Sequence, residues 1–224
     1  MLDGMRVVIL GLGQYPKGSG IMAALFFAAQ HHEVVVMDPY DSPAMAKNVA
    51  RLKVYPNVKL IMGRRDMREV ARADLVVRHQ RIRQDEPLLL AAKHLHIPIE
   101  TELTIFLKAC PARVIGVTGT RGKSTTTTLI HAMLKEGTRQ QVWLGGNLLA
   151  SPLADLARIK EKDLVVLEMS SFQLEGLGDA AMSPSIAVWT NLMSDHLNAY
   201  PTMGAYAEAK AQIFLHQKKD DTVF

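Results

Sequence analysis

A short run of glycine, lysine and hydroxyl residues, GVTGTRGKSTTTTLI at 116–130, has the residue types of a phosphate-binding loop. Backbone N–H groups at a helix N-terminus and the positive end of the helix dipole form an anion site, to which Lys123 adds a point charge. The loop is a variant, because the pattern GxxxxGK[ST] requires glycine where this chain has Val117. We predict that a nucleotide's phosphates contact Gly119, Thr120, Arg121, Gly122, Lys123, Ser124 and Thr125.

Carboxylates follow two later apolar segments. Glu168 ends DLVVLE and precedes serines 170 and 171, and Asp195 and His196 follow SIAVWTNLMS. In an open parallel sheet the ligand crevice lies beyond the carboxyl ends of the strands, so these residues should converge on the loop. We predict a Mg²⁺ site on the hydroxyl of Ser124 and the carboxylate of Glu168. The residues alone leave His196 open, since a lone histidine is more often a core or surface residue than a Mg²⁺ ligand.

A second glycine cluster, GLGQYPKGSG at 11–20, does not match GxGxxG, because the spacing after Gly13 is longer and includes Pro16. Two interpretations stay open. The cluster is either a turn that lets a helix pack closely on a strand, or a phosphate- or nucleoside-binding turn. In the second case the carboxylate of Asp38, at the end of the next strand, would accept a hydrogen bond from a sugar or base. Asp38 could equally be a turn residue at the start of DPYDSP.

Composition excludes several classes of protein. With 224 residues, 48% hydrophobic, the chain can bury one large or two small cores. The net charge is +4 and the pI about 9.2, but the basic residues are scattered apart from a cluster at 78–83, which indicates a mild anion preference and no nucleic-acid footprint. Cys110 is the single cysteine, so no intrachain disulfide framework can form and a reducing compartment is expected.

Targeting signals are also missing from the pattern. No apolar run approaches the roughly 20 residues of a membrane span. The N-terminus MLDGMRVVILGLG lacks a basic region followed by a long apolar core, which argues against a signal peptide. We therefore predict a cytoplasmic protein with no membrane and no nucleic-acid partner.

Short apolar runs alternate with helical patterns, which is typical of parallel α/β architecture. We predict strands at 6–13, 33–38, 58–63, 73–77, 97–101, 113–118, 163–169 and 185–191, and helices at 19–30, 85–95 and 124–137. In the last helix Leu129, Ile130, Met133 and Leu134 fall on one face, and Gly137 suits a C-cap. A boundary near KACPARV predicts a Rossmann-like domain at 1–110 and a P-loop ATPase-type parallel-sheet domain at 111–224.

Five segments occur in the order and spacing of the Mur ligases of peptidoglycan synthesis: GVTGTRGKST, GGNLL, LEMSSFQLEG, NLMSDHLNAY and AYAEAKAQIF. The chain resembles this family strongly over about 112–214 and more loosely over the first hundred residues. SSFQLE is most similar to the branch that adds D-glutamate. The resemblance implies ATP and Mg²⁺ as cofactors, UDP-N-acetylmuramoyl-L-alanine and D-glutamate as substrates, and an acyl-phosphate intermediate.

The same resemblance assigns roles to residues. It implies catalytic roles for Lys123, Glu168, His196 and Lys210. It implies metal binding by Ser124, Glu168, His196 and Lys210, the lysine as a carbamate. It implies substrate contacts by Gly13, Asp38, Asn147, Ser170 and Ser171.

Two departures from the family pattern matter. After ADLVV the family commonly has Ser- or Asn-Pro-Gly, whereas this chain has RHQRIRQDEP, in which Arg78, Arg81 and Arg83 either contact the same diphosphate or are solvated. The chain stops at KKDDTVF, so we expect an incomplete second domain that is partly exposed or self-associates, and no activity from residues 1–224 alone. The alternatives are a non-catalytic nucleotide-binding module, another Mur ligase, or a folylpolyglutamate synthetase-like ligase.

Overall fold

The computed structural model describes residues 4–147 and 150–224. The first three residues, and the two leucines that end the GGNLL segment, lie outside the described residues. The chain forms two compact units, Met1–Glu102 and Leu103–Phe224. Both are parallel α/β sheets, which confirms the predicted fold class. The domain ranges 1–110 and 111–224 stay a prediction.

The first unit is a five-stranded parallel sheet in the order β3-β2-β1-β4-β5. Its strands are apolar along nearly their whole length because helices cover parallel sheets on both faces. The strands are β1 Arg6–Leu10, β2 Glu33–Asp38, β3 Val58–Met62, β4 Leu75–Arg78 and β5 Ile99–Thr101. The helices are α1 Ser19–Ala29, α2 Ala46–Leu52 after a 3₁₀ turn at Pro43–Met45, α3 Met67–Val70, α4 Pro87–His94 and, at the boundary of the units, α5 Glu102–Ala109.

The second unit is a five-stranded parallel sheet in the order β10-β9-β6-β8-β7. Its strands are β6 Arg113–Thr118, β7 Val142–Gly146, β8 Leu164–Glu168, β9 Ile186–Trp189 and β10 Thr222–Val223. Its helices are α6 Lys123–Gly137, α7 Ser171–Asp179 and α8 Met203–Ala211, with 3₁₀ turns at Pro152–Ala154 and Leu156–Arg158. The phosphate loop, Glu168 and His196 lie at or after the carboxyl ends of β6, β8 and β9, which are three adjacent strands.

Helix α6 corrects two expectations from the sequence. Ile130 and Leu134 pack against the sheet core, whereas Leu129 is 57% and Met133 71% exposed. Thr127, fully buried, occupies the sheet-facing side instead, three and seven positions from Ile130 and Leu134. The helix also ends at Gly137 itself, and the extended Thr138 is the C-cap, one residue later than predicted.

No helix among residues 4–147 and 150–224 is long and apolar enough to cross a membrane.

Candidate functional site

The phosphate loop connects β6 to α6, in the predicted order of strand, loop and helix. Gly119 and Gly122 have φ angles of +152° and +79°, which residues with side chains rarely adopt. No side chain caps the start of α6. The first backbone N–H groups of a helix have no intrahelical acceptor, so this end of α6 presents open donors.

Lys123 lies across the loop. Its ammonium donates to the carbonyl oxygens of Gly119 and Thr120, each at 3.0 Å. Both acceptors are neutral backbone oxygens, and an anionic phosphate oxygen is a stronger acceptor for an ammonium. The position of Lys123 therefore suits exchange of these carbonyls for phosphate oxygens.

Glu168 and Ser124, predicted to share a metal, are in direct contact. Ser124 Oγ donates to Glu168 Oε2 at 2.6 Å, and Asn147 Nδ2 donates to Glu168 Oε1 at 3.1 Å. Glu168 is fully buried. The close approach depends on Gly146, where a Cβ would lie 2.1 Å from the carbonyl oxygen of Glu168. Three oxygen- or amide-bearing side chains from three elements thus meet beside the phosphate loop.

Lys210 is a buried lysine of α8, 1% exposed, whose ammonium donates to the carbonyl oxygen of Gly119 at 2.8 Å. The same ammonium lies 4.6 Å from the ring centre of Tyr206. Burial, and secondarily the positive charge of Lys123, lowers the pKa of Lys210 to about 8. Lys210 is therefore part of the loop's surroundings and not a solvated helical lysine.

His196 lies in an aromatic setting after β9. Its ring is 5.5 Å from that of Phe172 and 5.8 Å from that of Tyr206. Its backbone has a φ angle of +54°. The N–H of His196 donates to Asp195 Oδ1 at 2.8 Å, and this hydrogen bond is the main cause of the lowered pKa of Asp195. The structure thus brings His196 to Tyr206, the neighbour of Lys210.

Within the described ranges no group of three or more His, Cys, Asp or Glu side chains is arranged to hold a metal ion. Of the four predicted metal ligands, only Glu168 and His196 belong to these residue types. The other two are the hydroxyl of Ser124 and a carbamate on Lys210. The shared site of Glu168 and His196 stays a prediction. The contact between Ser124 and Glu168 supplies oxygen ligands of the kind that Mg²⁺ prefers.

The two serines after β8 have structural partners. Ser170 is the N-cap of α7 and forms a capping box with Gln173: Gln173 N donates to Ser170 Oγ at 3.3 Å, and Ser170 N donates to Gln173 Oε1 at 3.0 Å. Ser171 is buried, 2% exposed. Helix capping therefore accounts for the serine and glutamine of SSFQLE, and the substrate role of both serines stays a prediction.

The glycine cluster of the first unit follows β1, and Asp38 holds it in place. Asp38 Oδ2 accepts from the N–H of Leu12 at 2.9 Å and Oδ1 accepts from the N–H of Tyr40 at 3.0 Å, so both carboxylate oxygens already have backbone partners. Gly20 allows α1 to approach the loop, since a Cβ there would lie 2.0 Å from the carbonyl oxygen of Gly11. The close-packing role is therefore the one visible in the structure, and the nucleoside-binding interpretation stays a prediction.

The segment RHQRIRQDEP lies beside this loop. Arg78 is 3% exposed and donates to the carbonyl oxygen of Ile82 at 2.9 Å, so it is not a solvated arginine, whereas Arg83 is exposed and pairs with Asp85. Burial lowers the pKa of His79 to about 4, and His79 Nδ1 accepts from the N–H of Arg81 at 3.1 Å. His79 is therefore neutral at pH 7, and its contribution to this site is polar and uncharged.

A pocket of about 330 Å³ opens after β2 in the first unit. Its lining is Asp41, Ser42, Pro43, Ala46 and Val49. It follows the strand that ends at Asp38, close in sequence to the exposed Tyr40. Its position at a carboxyl strand end is the usual one for a ligand in such sheets.

Sequence reasoning did not single out three residues of the phosphate-loop region. Thr190, Asn191 and Tyr206 contact the loop or its neighbours. Asn191 and Tyr206 lie in the segments NLMSDHLNAY and AYAEAKAQIF, but no spacing of residue types there marks them individually. The one available signal was position, since Asn191 follows the carboxyl end of β9.

Comparisons with known proteins agree with this geometry. The Mur ligase middle domain matches residues 117–224, and the N-terminal domain of MurD-like Mur ligases matches residues 5–101. The UDP-N-acetylmuramoylalanine–D-glutamate ligase of Roseiflexus sp. is 40% identical over 222 residues, which are 99% of this chain and 47% of that enzyme. The enzyme of the same name from Acetivibrio thermocellus is 36% identical over 216 residues, 96% of this chain and 44% of that enzyme.

Two solved structures share the fold. The UDP-N-acetylmuramate:L-alanyl-gamma-D-glutamyl-meso-diaminopimelate ligase from Neisseria meningitides has a TM-score of 0.63 at 16% identity, over 99% of this chain and 71% of that one. The UDP-N-acetylmuramate-alanine ligase from Thermotoga maritima has a TM-score of 0.56 at 23% identity, over 98% and 49%. This chain spans about half the length of the curated relatives it matches. With both of its units matched to Mur ligase domains, the chain belongs to the Mur ligase family.

Proposed function

We propose that these residues serve an ATP-dependent ligase that joins D-glutamate to UDP-N-acetylmuramoyl-L-alanine in peptidoglycan synthesis. The observation that carries the proposal is the cluster of Lys123, Ser124, Glu168 and Lys210 around a phosphate loop. It occurs in a chain whose relatives are named for that reaction. Because the chain spans about half of those relatives, the activity of the whole enzyme is a proposal here.

The proposed chemistry has two steps. A carboxylate oxygen of the substrate's alanyl group attacks the γ-phosphorus of ATP, which forms an acyl phosphate and releases ADP. The amine of D-glutamate then attacks the acyl carbon and inorganic phosphate leaves, with the amine proton lost to solvent. Phosphoryl transfer needs positioning and charge stabilisation more than a protein nucleophile.

Lys123 and the open N–H groups at the start of α6 would hold the β- and γ-phosphates. The Lys123 ammonium would exchange its contacts with Gly119 and Thr120 for phosphate oxygens and neutralise negative charge as it develops. Ser124 and Glu168 fit a Mg²⁺ site, which when occupied would supply Lewis-acid neutralisation of the phosphate oxygens. His196 would serve a second Mg²⁺.

Lys210 would act as a carbamate. CO₂ adds to the neutral amine and a proton is lost, so a pKa of about 8 favours the reaction by leaving roughly a tenth of the side chain neutral at pH 7. The added carboxylate would face the carbonyl of Gly119 unfavourably, so the side chain would have to turn away from that oxygen. We propose that it turns toward the metal site.

The first unit would bind the uridine nucleotide, with Gly13 and Asp38 at its glycine loop. The pocket after β2 supports a nucleoside nearby, and neutral His79 provides a polar group on the adjoining strand end. Asn147, Ser170 and Ser171 would contact the muramoyl-peptide portion, and the hydrogen bond from Asn147 to Glu168 would hold the asparagine at this edge of the sheet. A cytoplasmic location is part of the same proposal.

For residues 1–224 taken alone we propose binding of uridine nucleotide, weak binding of ATP or none, and no amide-bond formation. Effective molarities of about 10⁵ M or more arise only when both reactants are held in attack geometry. An assay with ATP, Mg²⁺, UDP-N-acetylmuramoyl-L-alanine and D-glutamate tests this. Steady ADP release coupled to product from this chain would contradict it, and gel filtration would detect the self-association that we expect of its second unit.

The ligase proposal itself is tested with the polypeptide of the complete open reading frame that contains these residues. We expect phosphate release that requires both UDP-N-acetylmuramoyl-L-alanine and D-glutamate. L-Glutamate, L-alanine and meso-diaminopimelate are the matched controls for the acceptor. Activity with one of these instead would favour another ligase of the superfamily, and nucleotide binding without turnover would favour a non-catalytic module.

A further inference from the structure

The residues that follow β9 hold the phosphate loop by side-chain hydrogen bonds. Asn191 Oδ1 accepts from the N–H of Arg121 at 3.0 Å, and Asn191 Nδ2 donates to the carbonyl oxygen of Arg121 at 3.0 Å. The carbonyl oxygen of Asn191 accepts from the N–H of Thr120 at 3.1 Å. One asparagine thus satisfies both backbone groups of Arg121 and the amide before it.

Thr190 strengthens the same attachment. Its hydroxyl donates to the carbonyl oxygen of Arg121 at 2.7 Å, and its backbone N–H donates to the carbonyl oxygen of Thr118 at 3.0 Å. A Cβ on Gly119 would lie 2.0 Å from Thr190 Oγ1, so the loop and Thr190 are in close contact. The loop's shape is therefore determined by contacts from the adjacent strand end as well as by its own glycines.

These contacts divide the N–H groups of the loop into two sets. The amides of Thr120 and Arg121 point at Asn191 and are already bonded. Those of residues 122–125 have no acceptor within the described part of the chain. An anion at the helix N-terminus would therefore meet the amides of residues 122–125. The hydrogen bonds of Thr120 and Arg121 to Asn191 determine the direction in which those free amides point.

We propose that Asn191 is the positioning residue of the phosphate loop: by holding both backbone groups of Arg121 it orients the amides of residues 122–125 toward the phosphates. The inference rests on the proposed nucleotide site, and it assigns a role that the phosphate-loop pattern does not contain. Asn191 itself touches no phosphate in this role. Its removal should weaken nucleotide binding by leaving the loop free to take other conformations, whose ordering then opposes binding.

The test compares Asn191→Ala with Gln217→Ala. Gln217 is a matched control because its side-chain amide also bonds two backbone groups in the second unit. Gln217 Nε2 also donates to two backbone carbonyls, those of Pro184 and Thr222, both at 3.0 Å, but these lie at the start of β9 and β10, away from the loop. Thr190→Val serves as a second loop variant that removes only a hydroxyl. The variants are made in the polypeptide of the complete open reading frame. Affinity for MgATP is measured by calorimetry, stability by urea unfolding, and exchange of the Thr120 and Arg121 amides by NMR.

We expect the Kd for MgATP to rise about tenfold in Asn191→Ala, because the variant loses the two side-chain hydrogen bonds that hold Arg121. Thr190→Val should raise it severalfold, and Gln217→Ala should lose stability with an unchanged Kd. The amide of Arg121 should exchange faster in Asn191→Ala alone.

An affinity of folded Asn191→Ala within twofold of the unaltered chain, or an equal loss in Gln217→Ala, would overturn the inference while leaving the nucleotide site in place. If Asn191→Ala does not fold, an unchanged Kd for MgATP in Thr190→Val would overturn the inference in the same way. Absence of MgATP binding by the polypeptide of the complete open reading frame would overturn the nucleotide site itself, and this inference with it.

Discussion

Lys210 should make the stability of the second unit rise with pH, and Lys210→Met should abolish that rise. The pKa of Lys210 is about 8 in the folded chain, against 10.5 for an ordinary lysine, chiefly because of burial. Between these two values the unfolded chain binds more protons than the folded one, so the free energy of unfolding increases with pH. Below about pH 8 the full cost of the buried charge is present.

The magnitude follows from the size of the shift. Each pKa unit corresponds to about 1.4 kcal/mol, which gives an upper bound of about 3 kcal/mol between pH 7 and 10.5. Partial solvent access to the loop screens the charge, so we expect about 2 kcal/mol. In Lys210→Met the carbonyl of Gly119 keeps a partner, because Lys123 also donates to it, and no unpaired buried group is created there.

The assay is urea unfolding at pH 7, 8, 9 and 10, followed by tryptophan fluorescence. Both tryptophans, Trp143 and Trp189, lie in the second unit and report on it alone. Subtracting the Lys210→Met curve from that of the unaltered chain removes the contribution of other groups that titrate in this range. Lys218→Met, at an exposed lysine, is the control and should retain the full rise. A difference between the two chains that does not change with pH would refute the assignment of the buried charge.

Three further substitutions test the loops. Lys123→Ala should abolish detectable MgATP binding by calorimetry while far-ultraviolet circular dichroism stays unchanged; undiminished affinity would remove the lysine from the site. Gly20→Ala should destabilise the first unit by about 2–4 kcal/mol, because its Cβ would overlap the carbonyl oxygen of Gly11; a loss below 0.5 kcal/mol in urea unfolding would show that α1 moves away freely. Ser170→Ala should cost about 1 kcal/mol by removing the N-cap of α7, and Ser170→Thr, which keeps a hydroxyl, should restore most of it; equal stability of both variants would contradict the capping role.

The sequence by itself determined the fold class and most of the sheet. Apolar runs bounded by glycine, proline or acidic residues mark parallel strands because both faces of such a sheet are buried, and this signal is local. The strand predicted at 113–118 is observed as Arg113–Thr118, and the helix predicted at 124–137 begins one residue earlier, as Lys123–Gly137. The phosphate loop was also recognisable, since its glycines and lysine are contiguous in the chain.

Local patterns were less informative about ends and faces. The first strand stops at Leu10 and not at residue 13, because Gly11 turns the chain with φ +88°. Short helices such as α2 carried no clear pattern and were missed. The exposure of Leu129 and Met133 depended on the rotation of α6 about its axis, which the sheet beneath it decides and the spacing of apolar residues does not.

Only the tertiary structure decided which side chains meet. Ser124 and Glu168 are 44 positions apart, Arg121 and Asn191 are 70 apart, and Lys210 and Gly119 are 91 apart, yet each pair is hydrogen-bonded. The folding of parallel strands brings their carboxyl ends to one edge, but the partner of a given polar atom there depends on loop geometry and burial. For that reason a lysine that the sequence alone presents as solvated is buried at the phosphate loop, with a pKa lowered to about 8.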